Sequence, residues 1–189
     1  MRNIFRYISY LLFIISILIL LKPTIFYAKE FIIQNRLNYQ WKESIKIKQI
    51  NIDNYSIYPI GKIKIKNLNL ASIITGGSLD DALQVSIAHI PNTSMPGELD
   101  NICLAGHRDR FFKNLKDVKI NDFIEIEHLI GIDQYQIKNI KIIEPHEVNY
   151  LEQCNEPLLT LITCYPFEYL GKAPLRYMVQ AKKIEYSNL

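Results

Sequence analysis

The sequence predicts a mainly β domain, a closed or nearly closed barrel with short helices, preceded by one apolar N-terminal helix. Three observations carry this. From Ile57 onward apolar residues recur at strand period, as in Ile60, Ile63, Ile65, Leu68 and Leu70 with polar residues between them. Further short strand-like runs follow, separated by turn residues and leaving room for few helices, a pattern that suits a barrel. Residues Tyr7 to Leu21, in contrast, are apolar except for Ser9 and Ser16.

That N-terminal run is the first element. Its continuous part reaches about 22 Å at a rise of about 1.5 Å per residue, short of a hydrocarbon core of about 30 Å. Including Lys22 to Tyr27, with Lys22 snorkelling to the interface, gives a span of sufficient length. A cleaved signal peptide shares the basic start and apolar centre, but Ala28 follows the bulky Phe26 where a small residue belongs. Residues 1–28 are therefore read as a cytoplasmic tip and single-pass membrane anchor. Arg2, Arg6 and the α-amino group keep the N-terminus inside and put the remainder outside the cytoplasmic membrane. Residues 29–56 mix Phe31, Ile32, Leu37, Trp41 and Ile45 with polar residues, a helical stalk with a frayed end in which Trp41 packs on the domain.

Residues 57–189 form the β domain. Gly76-Gly77 marks a turn, and Ser78 caps a short helix over Leu79 to Ser86 with Asp80 and Asp81 in its first turn. Strands are expected at Ile102 to Gly106, Asp122 to Leu129, Asp133 to Ile143, Leu158 to Cys164 and Leu175 to Ile184, with helical turns over Phe111 to Val118. Glu144 to Pro157 and Tyr165 to Ala173 lack strand pattern and flank the Cys164 strand, as the walls of a groove would.

Composition excludes several classes. The 189 residues suffice for one ordinary domain with its appendage, and a net charge of +3 with interspersed signs offers no footprint for nucleic acid. Three cysteines without paired spacing argue against a disulfide framework, and the histidines show no metal-ligand spacing. No metal and no cofactor are expected.

The chemistry-bearing segment is Thr160-Leu161-Ile162-Thr163-Cys164-Tyr165-Pro166. An apolar, partly β-branched run places the thiol where a buried strand meets an open rim. His107, in Leu104-Ala105-Gly106-His107-Arg108-Asp109, ends another strand, and Arg176 lies on the strand that follows the cysteine. A thiol needs a cationic partner to become a thiolate, and imidazolium and guanidinium both qualify.

These residues resemble those of the sortases, bacterial cysteine transpeptidases marked by Thr-Leu-x-Thr-Cys, a His after an Ala-Gly or similar pair, and a later Arg. The resemblance runs from about Ile57 to Glu185 and is greatest to class D, through His107 to Phe112, Thr163 to Phe167 and Gly171 to Tyr177; Arg110 stands where class D often has Thr. It implies an eight-stranded barrel, His107, Cys164 and Arg176 as catalytic residues, and Thr163, Tyr165 and Ala105 as substrate-binding candidates. The implied substrate is a surface protein with a Leu-Pro-x-Thr-Gly or Leu-Pro-x-Thr-Ala sorting signal. The implied acceptor is an amine of peptidoglycan or its lipid-linked precursor. A pilin-polymerising enzyme would be expected to carry an Asp-Pro-aromatic lid motif, which residues 29–58 lack. A non-catalytic envelope-binding module on the same scaffold would not need the intact triad.

The remaining thiols and imidazoles have plainer readings. Cys103 lies inside a strand as a core residue, and Cys154 sits in a loop. His89 is structural, His128 is solvated at a strand end, and His146 opens the long loop. Asp122, Glu125 and Glu127 form the solvated face of a strand rather than a cation site.

Overall fold

The computed structural model describes residues 2–47, 49 and 56–184 and divides into two compact units, Met1–Arg36 and Leu37–Leu189. Helix α1 (Arg2–Ile47) supplies the first unit and enters the second. Its side chains from Phe5 to Ile25 are all exposed, and the helix is long and apolar enough to cross a membrane. Pro23 lies inside it, where proline withholds a backbone donor. The Thr24 hydroxyl next to it donates to the carbonyls of Leu20 and Leu21 (3.2 and 2.8 Å).

The helix runs to Ile47 without a break at residue 28, and most of the expected frayed end, residues 48 and 50–55, lies outside the described residues. The second unit begins at Leu37, earlier than the expected boundary at 57. Leu37, Trp41 and Ser44 recur at helical spacing and are all buried, with the Trp41 indole donating to Glu127 (3.2 Å). That face of the helix belongs to the domain.

Eight strands follow: β1 (Ile57–Ile65), β2 (Leu70–Gly77), β3 (Ile87–His89), β4 (Ile102–Ala105), β5 (Phe123–His128), β6 (Gly131–Ile143), β7 (Leu158–Tyr165) and β8 (Leu175–Lys183). They close a barrel in the order β1-β2-β3-β4-β7-β8-β6-β5, with β1 against β5 completing the ring. The β2–β3 and β4–β7 pairs are parallel and the others antiparallel. Helix α2 (Leu79–Val85) makes the β2–β3 crossover, and its Ser78 cap accepts from the Asp81 N–H. Gly77 has φ +103°, and a Cβ there would stand 2.2 Å from the Ser56 carbonyl oxygen, so only glycine fits.

Strand β3 is absent from the strand readings of the sequence, because three wholly buried residues are too few to show an alternation. The expected helical turns after His107 are a 3-10 segment, Lys113–Asp117, whose Leu115 is fully buried beside Phe112 in the core. Ile63, Ile74, Leu104, Ile124, Leu159, Leu161 and Val179 fill the same core from the strands around it.

His128 departs from its reading as a solvated residue: it is buried, with Nε2 3.3 Å from Asp133 Oδ2. Lys183 pairs with the other oxygen of that carboxylate at 2.7 Å. Gly97, at φ +99°, lets the backbone press on the imidazole, since a Cβ there would lie 2.8 Å from Nδ1. The acidic residues of β5 and the turn before it have partners of their own. Asn67 donates to Asp122 (2.9 Å), Lys66 pairs with Glu125 (2.7 Å), and Trp41 occupies Glu127.

Candidate functional site

Strands β4, β7 and β8 are neighbours, and their ends bring together the three residues singled out in the sequence. Cys164 stands directly across from Arg176 in the antiparallel β7–β8 ladder. On the other side of β7, the parallel register pairs Ala105 with Ile162. The Gly106 N–H donates to the Ile162 carbonyl (3.2 Å), carrying that pairing one step further and delivering His107 to the level of Cys164.

Local sequence explains why the chain turns there. A Cβ on Gly106 would lie 2.8 Å from the Phe112 ring, so glycine lets the ring close under the turn. The Phe112 N–H donates to the His107 carbonyl (2.9 Å), fixing the turn from its far side. Thr163 contributes a third restraint. It is buried on the Leu159 and Leu161 face of β7, and its hydroxyl donates to the Gly106 carbonyl (2.7 Å). The hydroxyl expected near substrate is thus spent on holding the histidine turn.

Cys164 and His107 are partly exposed. Arg176 is anchored through Nη1 to the carbonyls of Ala173 and Leu175 (3.3 and 2.9 Å). Tyr165 begins an aromatic wall beyond the thiol. It stacks on Tyr177 at 6.2 Å between centroids and meets Phe167 edge-on at 6.2 Å. Ala105 is half-buried and pairs in register with Ile162.

The other thiols sit in different environments. Cys103 is fully buried, and burial pushes its thiol up to about 12, so it is not a thiolate at neutral pH. Cys154 is exposed in the β6–β7 loop with its N–H donating to Asp100 (2.9 Å). All three cysteines are free. His89 is buried with Nε2 2.9 Å from the Ser94 carbonyl oxygen, and desolvation lowers its pKa. His146 is exposed in the β6–β7 loop. Among the described residues no group of His, Cys, Asp and Glu could hold a metal ion.

Below these residues, Asn101 just before β4, Thr160 of β7, Gln180 of β8 and Asn139 of β6 form a chain of side-chain bonds that sequence reasoning missed. Thr160 donates to Asn101 (2.8 Å), Gln180 to Thr160 (3.4 Å) and Asn139 to Gln180 (3.5 Å). The Asn101 amide donates in turn to the carbonyls of Tyr150 and Glu152 (2.8 and 3.2 Å), holding the β6–β7 loop across the sheet. An asparagine directly before a buried strand was the available signal; its partners, about fifty residues on, carry none in sequence.

Comparison with known proteins agrees with this fold. A family model described as a sortase domain matches residues 63–184. Sortase D of Bacillus subtilis (strain 168) is 30% identical over 125 residues, which cover 66% of this chain and 63% of that protein. This chain thus matches less than two thirds of that relative's length. A Clostridium perfringens Sortase D5 transpeptidase superposes with a TM-score of 0.64 at 32% identity, over 80% of this chain and 92% of that one. A pilus-related Sortase C of Group B Streptococcus gives a TM-score of 0.62 at 26% identity, over 68% of each chain.

Proposed function

This chain belongs to the sortase family, and we propose that it is a membrane-anchored class D transpeptidase. It cleaves a Leu-Pro-x-Thr-Gly or Leu-Pro-x-Thr-Ala sorting signal after Thr and passes the protein to an amine of the cell wall or its precursor. The observation that carries this reading is the meeting of Cys164, His107 and Arg176 at the ends of three adjacent strands.

Each residue does what its chemistry permits. A thiol of ordinary pKa near 8.5 is mostly protonated at neutral pH, and imidazolium and guanidinium charges enrich the thiolate. The Cys164 sulfur attacks the Thr carbonyl carbon; the scissile C–N bond breaks as His107 gives its proton to the departing amine, leaving a thioester. An incoming amine then attacks the thioester, loses a proton to His107, and frees the thiolate. Arg176 does not deprotonate, so its part is to donate hydrogen bonds to the oxyanion or to substrate carbonyls. Thr163 acts from behind by holding the His107 turn. Tyr165 and Ala105 line the groove. The α1 helix keeps the domain at the outer face of the membrane.

Resemblance to a pilus-related enzyme supports a second acceptor, a pilin lysine. One experiment separates the readings. Full-length protein in detergent is incubated with sorting-signal peptides, alone and with peptidoglycan-type amines or a pilin lysine peptide, and products are identified by mass spectrometry. Cleavage after Thr, a thioester on Cys164 and transfer to a wall-type amine are expected. Transfer to the lysine peptide alone would move the enzyme to pilus assembly, and no cleavage of any peptide would sink the transpeptidase reading.

A further inference from the structure

The loop joining β7 to β8 starts beside Cys164 and ends beside Arg176, so its position sets one wall of the groove. Its middle is gripped from outside the loop. The Arg108 guanidinium donates through Nη2 to the carbonyls of Tyr169 (2.7 Å) and Gly171 (3.2 Å), and its Cζ lies 5.9 Å from the centre of the Tyr169 ring. Between those two anchor points Leu170 is 99% exposed, and Gly171 turns the chain at φ +94°. The neighbouring tie, Lys116 to Glu168 at 3.4 Å, is solvent-exposed and weak. Arg108 directly follows His107, so one side chain links the histidine turn to the far wall.

We propose that Arg108 is a positioning residue that latches the β7–β8 loop onto the His107 turn and thereby sets how tightly the groove takes a peptide. A guanidinium, with its delocalised charge and planar face, meets the two carbonyls and the ring from one fixed group, which the flexible, more strongly hydrated ammonium of lysine does less well. The Arg108 Nη1 is buried with no hydrogen-bond partner among the described residues. The thiol does not depend on this latch, since Cys164 faces Arg176 and His107 is held by Gly106, Phe112 and Thr163.

The peptide arm of the test rests on the sortase reading; the proteolytic arm does not. Wild type, Arg108→Ala and Arg108→Lys, all full length in detergent, are compared for peptide turnover, for alkylation of Cys164 against pH, and for trypsin cleavage after the exposed Lys172. Matching thermal melts show that the variants fold. Arg108→Ala should raise KM about tenfold, the scale of one charge-assisted hydrogen bond, with kcat within about threefold of wild type. The alkylation profile should be unchanged and cleavage after Lys172 about tenfold faster, as expected when an ordered loop opens more often. Arg108→Lys should fall between. Cleavage at the wild-type rate in Arg108→Ala overturns the latch even if no peptide is ever turned over. Loss of kcat together with a displaced alkylation profile would instead make Arg108 part of the thiol's electrostatics and overturn the positioning role.

Discussion

Two ends of the same three strands teach how this fold separates stability from chemistry. At their lower end, Asn101 before β4, Thr160 of β7 and Gln180 of β8, joined by Asn139 of the adjoining β6, bond to one another and to the β6–β7 loop, and Asn101 and Thr160 are buried. Four residues above Thr160 on the same face of β7, Cys164 stands partly exposed among residues held by the backbone around them. Polar side chains that satisfy one another lock a loop; those left with spare donors at a rim can meet a substrate. The two thiols repeat the contrast. Cys103, under the loop, is pushed up to about 12 by burial, whereas Cys164 is partly exposed.

The largest effect expected from this contrast is at the thiols. Cys164→Ala should abolish peptide cleavage, while Cys103→Ala and Cys154→Ala keep most of it, read as kcat/KM on a matched peptide. Comparable loss from Cys154→Ala would move the nucleophile to the loop. His107→Ala should cost about 10² to 10⁴-fold, the usual worth of general acid–base catalysis. Near-wild-type turnover there would remove the mechanism. Arg176→Lys keeps the charge and loses the fork, so a fall of roughly 10² is expected if one oxyanion donor is lost. A variant as fast as wild type would mean that the arginine acts by charge alone.

At the locked end the expected effects are on stability. Asn101→Ala strands two loop carbonyls and the Thr160 hydroxyl, and should lower the unfolding free energy by about 1–3 kcal/mol in denaturant titration. An unchanged midpoint would show that the polar chain holds nothing. The smallest effect involves His89, whose pKa burial lowers. Because the unfolded chain binds that proton more readily, His89 contributes stability that is full above about pH 6.5 and is lost as pH falls below it. His89→Gln should flatten the fall of Tm between about pH 6.5 and pH 5; an equally steep fall would assign it to other groups.

Apolar patterning and turn residues placed the five strands β4 to β8 to within two residues, and marked the stretch from Ile57 as strand-rich without dividing it into β1 and β2. The Thr160 to Pro166 segment and the strand-end histidine marked the site because a nucleophile and its partners need particular residue types. The sequence by itself therefore determined the element types, the apolar helix and the candidate site residues. What only tertiary structure decided is which distant residues complete them. That Thr163 serves Gly106, that Asn101 holds residues 150 and 152, that His128 is buried against Asp133, and that α1 joins the domain from Leu37 all depend on contacts far apart in the chain. A hydrogen bond across fifty residues leaves no period in a sequence, because its geometry exists only once the strands between have paired and the barrel has closed.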